Sequence, residues 1–331
     1  MNDTRCETPG LVDLQVNGFA GIDFNTPGIT AEALDHALQA MAETGVVACL
    51  PTLITAPAGH LADCFADLER AARGSRLAMA MVLGYHLEGP FLSPQDGYRG
   101  CHPASAMGAA DIVLFDRLNA AAGDRIRLLT VAPEVEGALA LIAHARTRGV
   151  AVALGHTAAD RATIDAAVAA GATLSTHLGN GSPQVMPRND NVVLSQLGQD
   201  GLSASFIADG LHIPPSTLRV YLRAKELKRS VLVTDATAGA AAPPGNYRLG
   251  PVPIRALADG SVREAGAPRL AGAARTMDCA VANIAEWLGL PLPEAVRLAH
   301  DNPLTVLGLP AGAGGRALTW RKADGRWRLA A

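Results

Sequence analysis

Short runs of apolar and β-branched residues alternate along this chain with longer, alanine-rich amphipathic segments, and that alternation restricts the fold more than any other feature. A strand followed by a helix, repeated, is the signature of βα units feeding a parallel sheet. Eight candidate strands are read, over residues 10–17, 46–52, 78–87, 125–131, 150–156, 172–177, 202–209 and 230–235. Helix-period stretches lie between them, such as 31–44, 134–148 and 158–170, each with a glycine near its end, a usual helix stop. Eight such units predict a closed α/β barrel more than an open sheet. The 331 residues comfortably exceed the roughly 250 that such a barrel needs.

After residue 235 the pattern changes. Residues 240–245 read as a Pro/Gly loop, 247–262 as a short hairpin, 276–288 and 292–300 as helices, and 316–329 as a terminal hairpin around Ala323-Asp324-Gly325. With no internal repeat and no linker visible, one domain over 1–331 is expected, the barrel covering about 10–309 and the hairpin 310–331.

Apolar residues make up 49% of the chain and charged ones 18%, which suits a large buried interior. The net charge of −3, with no cluster of Lys and Arg, excludes the electrostatic footprint of a nucleic-acid binder. Five cysteines, odd in number and without a C-x-x-C pair, suggest neither a zinc-thiolate site nor a disulfide framework. The first ten residues show no basic flank leading into an apolar stretch, and no apolar run approaches the roughly 20 residues of a membrane span. A reducing cytoplasm is therefore expected.

The chemistry is in where the polar residues fall. In parallel barrels the active site forms at the C-terminal ends of the strands, which converge on one mouth. Here those ends carry Gln15 and Asn17, His86 and Glu88, then His156, His177, Asp209 and Asp235. Singly, each is an ordinary strand-end hydrogen-bonding residue or a helix cap. Jointly, Glu88, His156 and His177 offer one carboxylate and two imidazoles, the open ligand set of a catalytic zinc or iron(II) site. Such a metal activates water at neutral pH. Asp235, directly after the apolar run 231–234, is then placed to carry the proton from water to a leaving group. His36, His60, His144 and His300 lie in or beside helical segments and are given no role.

These positions sit within ordered blocks: Leu14-Gln15-Val16-Asn17-Gly18, His86-Leu87-Glu88-Gly89-Pro90-Phe91, Gly155-His156-Thr157, Thr176-His177-Leu178, Ala208-Asp209-Gly210-Leu211-His212 and Val233-Thr234-Asp235-Ala236. Leu270-Ala271-Gly272, followed by Thr276-Met277-Asp278, adds a seventh. Together, from Gly10 to Leu309, they resemble the N-acetylglucosamine-6-phosphate deacetylase family of the amidohydrolase superfamily. The resemblance implies a (β/α)8 barrel enzyme that removes acetyl from N-acetylglucosamine 6-phosphate, with Glu88, His156 and His177 as metal ligands and Asp235 as acid/base. It further implies that His102 stands near the acetyl carbonyl, that Asn180 and Gly181 contact substrate, and that His212 lies on the sugar-phosphate side. Arg188 matches a phosphate-binding arginine that some members supply from the neighbouring subunit, so a homodimer is implied. Many superfamily relatives carry His-x-His on the first strand and bind two metals. Gln15 and Asn17 stand there in this chain, so one divalent metal, zinc or iron(II), is expected.

The chain also departs from the family pattern. Members usually have about fifty residues of a small β-sandwich before the first barrel strand, so that sandwich is expected to be absent or reduced to the terminal hairpin. The usual Asn-Ala-Met-Pro is here Asn180-Gly181-Ser182-Pro183, and the usual Gly-Arg-Glu-Pro-Gly is Pro187-Arg188-Asn189-Asp190-Asn191. Both changes fall in the substrate loop. They leave two alternatives, a deacylase for another N-acyl substrate and a non-catalytic sugar-phosphate binder. A binder has no need of the four residues Glu88, His156, His177 and Asp235.

Overall fold

The computed structural model describes residues 4–310 and 316–330. Eight parallel strands run in sequence order, each hydrogen-bonded to the next: Leu11–Val16, Val46–Ile54, Tyr85–Glu88, Ile126–Val131, Ala151–Leu154, Leu174–Ser175, Ser203–Ile207 and Ser230–Val233. The first and eighth close the ring without a regular ladder. At the mouth, Asp235 N–H donates to the Gln15 carbonyl at 2.9 Å and Asn17 N–H to the Ala236 carbonyl at 2.7 Å. Deeper down the gap is filled by residues 298–299, whose carbonyls accept from Leu232 N–H and Val12 N–H, both at 2.7 Å. The chain is a (β/α)8 barrel.

Two apolar shells hold it. Inside the barrel, Val12, Leu14, Leu50, Leu128, Leu174, Ile207, Val231 and Val233 pack against one another, with alanines such as Ala48, Ala151 and Ala153 where space is short. Outside, the opposite faces of the strands meet the helices through residues such as Leu53, Leu87, Leu129 and Phe206. Alternation along each strand therefore serves two buried faces, which is why the runs read as nearly continuously apolar. The helices start where side-chain oxygens can satisfy free N–H groups. Thr30 caps Ala31–Glu43, Asp111 caps Ile112–Ala121 and Asp160 caps Arg161–Ala170.

Some expectations are corrected. The run read as a strand over 78–87 divides: Arg76–Met81 is a helix capped by Ser75, and only Tyr85–Glu88 is strand. A short apolar run fits either element, and the cap decides it here. The helix read over 134–148 begins only at Ala138, because Gly137 takes a left-handed φ of 81°. The one read over 292–300 ends at Arg297, and a further helix, Asp301–Val306, follows.

The hairpin expected over 247–262 is a four-stranded antiparallel sheet, Gly245–Leu249, Val252–Ala256, Ser261–Glu264 and Leu270–Ala273. Its inner face, with Leu249, Ile254, Val262 and Ala271, packs on Ile54 at the barrel mouth. The terminal hairpin is present as Ala317–Ala323 and Arg326–Leu329, and Thr4–Pro9 adds a third strand that the sequence reading did not find. Trp320, fully buried, ties the two together by donating from Nε1 to Thr8 Oγ1 at 2.9 Å. Among the described residues no helix is long and apolar enough to cross a membrane.

Candidate active site

Glu88 ends the third barrel strand, while His156, His177 and Asp235 each stand two residues beyond the fifth, sixth and eighth. All three of those last residues have positive φ, 50°, 27° and 51°. This conformation costs a residue with a Cβ about 1–3 kcal/mol, and it persists where the surroundings hold it. It turns each side chain from the strand direction into the mouth.

The Nε2 atoms of His177 and His156 lie 3.0 and 3.4 Å from Glu88 Oε1. All three residues are buried, and their ligand atoms lie within 4.8 Å of one another. His156 Nδ1 faces the Tyr98 carbonyl at 2.9 Å, so that nitrogen carries the proton. Its Nε2 is left as a buried lone pair without a hydrogen-bond partner, aimed at a carboxylate. Two lone pairs facing each other repel unless a cation lies between them, so the donor set fits a metal ion. Burial alone would raise the Glu88 carboxyl, yet the imidazoles of His156 and His177 packed against it outweigh burial and hold it well below the usual range. Burial disfavours the charged form of His177, but its hydrogen bond to Glu88 and the charges of Glu88 and Asp235 raise it.

Asp235 is held through one oxygen. Its Oδ1 accepts from Asn17 Nδ2 at 2.7 Å and from Gln15 Nε2 at 3.2 Å, and Gln15 Nε2 also donates to Glu88 Oε1 at 3.0 Å. The two first-strand amides thus occupy the mouth as hydrogen-bond donors. Burial, then the negative charge of Glu88, pushes Asp235 up to about 6. Gly272 lies against it with φ of 68°, and a Cβ there would come within 2.8 Å of the Asp235 carbonyl.

His102 Nε2 is 3.9 Å from Glu88 Oε2. Its Nδ1 faces Thr55 Oγ1 at 2.9 Å and Thr55 N–H at 3.4 Å; with both donating to it, the proton sits on Nε2, facing the site. Burial, with the neighbouring His156, pushes its pKa down to about 3, so the ring is a neutral donor. His86 lies outside this cluster: Nε2 pairs with Thr130 Oγ1 at 2.8 Å and burial lowers it to about 4.

No protein-family model matches the chain. It is 35% identical over 310 residues to the N-acetylgalactosamine-6-phosphate deacetylase of Escherichia coli O157:H7, covering 93% of this chain and 79% of that protein. It is 33% identical over 321 residues to the N-acetylglucosamine-6-phosphate deacetylase of Homo sapiens, covering 94% and 76%. The chain belongs to the N-acetylglucosamine-6-phosphate deacetylase family. A solved deacetylase of this family, a mutant from Mycobacterium smegmatis in complex with N-acetyl-D-glucosamine-6-phosphate, superposes with a TM-score of 0.87 at 31% identity, over 98% of this chain and 87% of that one.

In this deacetylase family member the cluster opens into a cavity of about 490 Å³, whose lining includes Asn180, Gly181 and His212. Asn180 Nδ2 donates back to the His177 carbonyl at 3.0 Å. Gly181 packs against His156, where a Cβ would lie 2.7 Å from Nδ1, so the position admits only glycine without displacing the ring. His212 Nδ1 pairs with Asp209 Oδ2 at 2.7 Å, which leaves Nε2 toward the cavity. Arg188 is different: it is exposed and does not line the cavity of its own chain. The arginines that do are Arg263, on the third strand of the four-stranded sheet, and Arg269, just before the fourth, both of which the sequence reading missed. Arg269 donates to the Gly100 carbonyl at 2.9 Å and so braces the loop that carries His102.

Proposed function

We propose that this chain deacetylates N-acetylglucosamine 6-phosphate, giving glucosamine 6-phosphate and acetate. The observation that carries the reading is the buried cluster of Glu88, His156 and His177 beside a carboxylate, Asp235, that first-strand amides hold by one oxygen. Glu88, His156 and His177 would hold one divalent metal, zinc first and iron(II) second, which when bound supplies Lewis acidity to water and to the acetyl carbonyl.

The residues of the chain then do the following. Asp235 accepts the proton of the attacking water as its oxygen bonds to the acetamide carbon. His102 donates from Nε2 to the oxygen on which negative charge develops. As the carbon–nitrogen bond breaks, Asp235 returns its proton to the departing amine, and the acetyl group leaves as acetate. Asn180, Gly181 and His212 line the space for the sugar. Arg188, exposed on its own chain, fits the phosphate of a second copy's substrate, which makes a homodimer part of the reading. Five free cysteines suit a reducing cytoplasm.

One observation favours testing a second sugar: the galactosamine enzyme of E. coli is 35% identical to this chain. Acetate release should be followed with both N-acetylhexosamine 6-phosphates and with unphosphorylated N-acetylglucosamine. No release from any of them would overturn the reading. Release from the galacto form alone would change the sugar and keep the chemistry.

A further inference from the structure

Asp13 is a buried carboxylate that the reaction above does not use. It lies within the first barrel strand, 1% exposed, beside Val12 and Leu14. Burial pushes its carboxyl up to about 7, so the interior holds an awkward group where an apolar one would pack. Its oxygens are nonetheless fully engaged. Oδ1 accepts Gln15 N–H and Thr234 N–H, each at 3.2 Å, and Oδ2 accepts the Thr234 hydroxyl at 2.5 Å.

These bonds stand where the sheet has no ladder of its own, between the first and eighth strands. Both residues gripped by Asp13 act directly on Asp235. Thr234 precedes it in the chain, and the Gln15 amide donates to its Oδ1. Asp235 has the φ of 51° that a residue with a side chain keeps only when its neighbours impose it. We infer that Asp13 is a positioning residue: its carboxylate clasps the first barrel strand to the eighth and so fixes the turn that aims Asp235 into the site. The inference rests on the deacetylase reading for what Asp235 does there, and on geometry alone for the clasp.

The test is a double-mutant cycle of Asp13→Asn with Asp235→Asn, reading kcat and KM for acetate release. Asn keeps an oxygen for the two N–H donors but loses the second acceptor that holds the Thr234 hydroxyl. If Asp13 acts through Asp235, Asp13→Asn lowers kcat about tenfold or more in the parent and less than about twofold once Asp235 is already Asn. KM should stay within about threefold. Equal losses in both backgrounds, or a single variant with parental kcat, would overturn the inference. Should Asp13→Asn fail to fold, Thr234→Val replaces it in the cycle under the same criteria. A crystal structure of whichever of the two folds gives a readout independent of turnover. Asp235 Oδ1 is expected to leave hydrogen-bond reach of Asn17 Nδ2, and an unmoved Asp235 overturns the clasp. A parent that releases no acetate from any N-acetyl sugar removes the deacetylase reading, and the crystallographic comparison then decides the clasp alone.

Discussion

Asn17 Nδ2 lies 2.7 Å from Asp235 Oδ1, so an amide just past the first barrel strand holds the carboxylate just past the eighth. The amide oxygen of Asn17 is buried without a partner, and the residue lines the cavity. Asn17→Ala removes a hydrogen bond to a charged group, worth about 1.5–3 kcal/mol. If the bond serves to aim Asp235, kcat falls about ten- to hundredfold while metal content stays parental. A variant within twofold of the parent would mean that Gln15 holds Asp235 unaided.

Asp235→Asn should fold, keep its metal and lose about 10²–10⁴ in turnover, because an amide cannot take the proton from water. The parent's pH profile tests the same group. Burial and the charge of Glu88 place Asp235 at about 6, and only its ionised form accepts a proton, so the rate falls as the pH drops through that value. A bound cation opposes the charge of Glu88 and draws the acid limb lower still. Half-maximal kcat on that limb is expected at or below about pH 6. A limb well above it assigns the ionisation to another group.

For the metal, elemental analysis of purified protein is expected to find about one equivalent of a divalent transition metal, bound by two imidazoles and one carboxylate. His156→Ala and His177→Ala should each lose it. Gly181→Ala should weaken its binding, because the added Cβ would press on the ring of His156. Two tightly held equivalents, or activity that survives complete removal, would contradict the single site.

The phosphate end separates two arginines. If a second copy supplies Arg188, Arg188→Ala raises KM sharply for a 6-phosphorylated sugar and hardly at all for the unphosphorylated one. The protein should then sediment as a dimer. Arg263→Ala, which alters the cavity of its own chain, is the control. The opposite pattern, with Arg263→Ala selective for the phosphorylated sugar and Arg188→Ala silent, moves phosphate recognition into the single chain.

Strand order and the polar cluster were legible because both rest on local pattern: each ligand stands at, or two residues beyond, the end of a short barrel strand. Asp13 was not, since a lone acidic residue inside an apolar strand gives no signal until its partner Thr234, distant in sequence, is brought beside it. Thr4–Pro9 was missed for a related reason. Its residues are mostly exposed, so it shows no apolar alternation, and its identity as a strand comes wholly from pairing with Ala317–Ala323. Arg188 shows the converse: the family resemblance implies a role for it, but a match in sequence cannot say which chain's cavity the side chain reaches.

That pairing sets a timetable for biosynthesis. Thr4 lies opposite Lys322, so the first of these strands has no partner until nearly the whole barrel has been translated. At about 5–20 residues per second that interval lasts roughly 15–60 s. For that time the nascent chain carries an open strand edge, whose charges at Arg5 and Glu7 and whose Pro9 discourage pairing with a stranger. Docking of the terminal sheet is then a late event, and the buried indole of Trp320 offers a fluorescence signal for it.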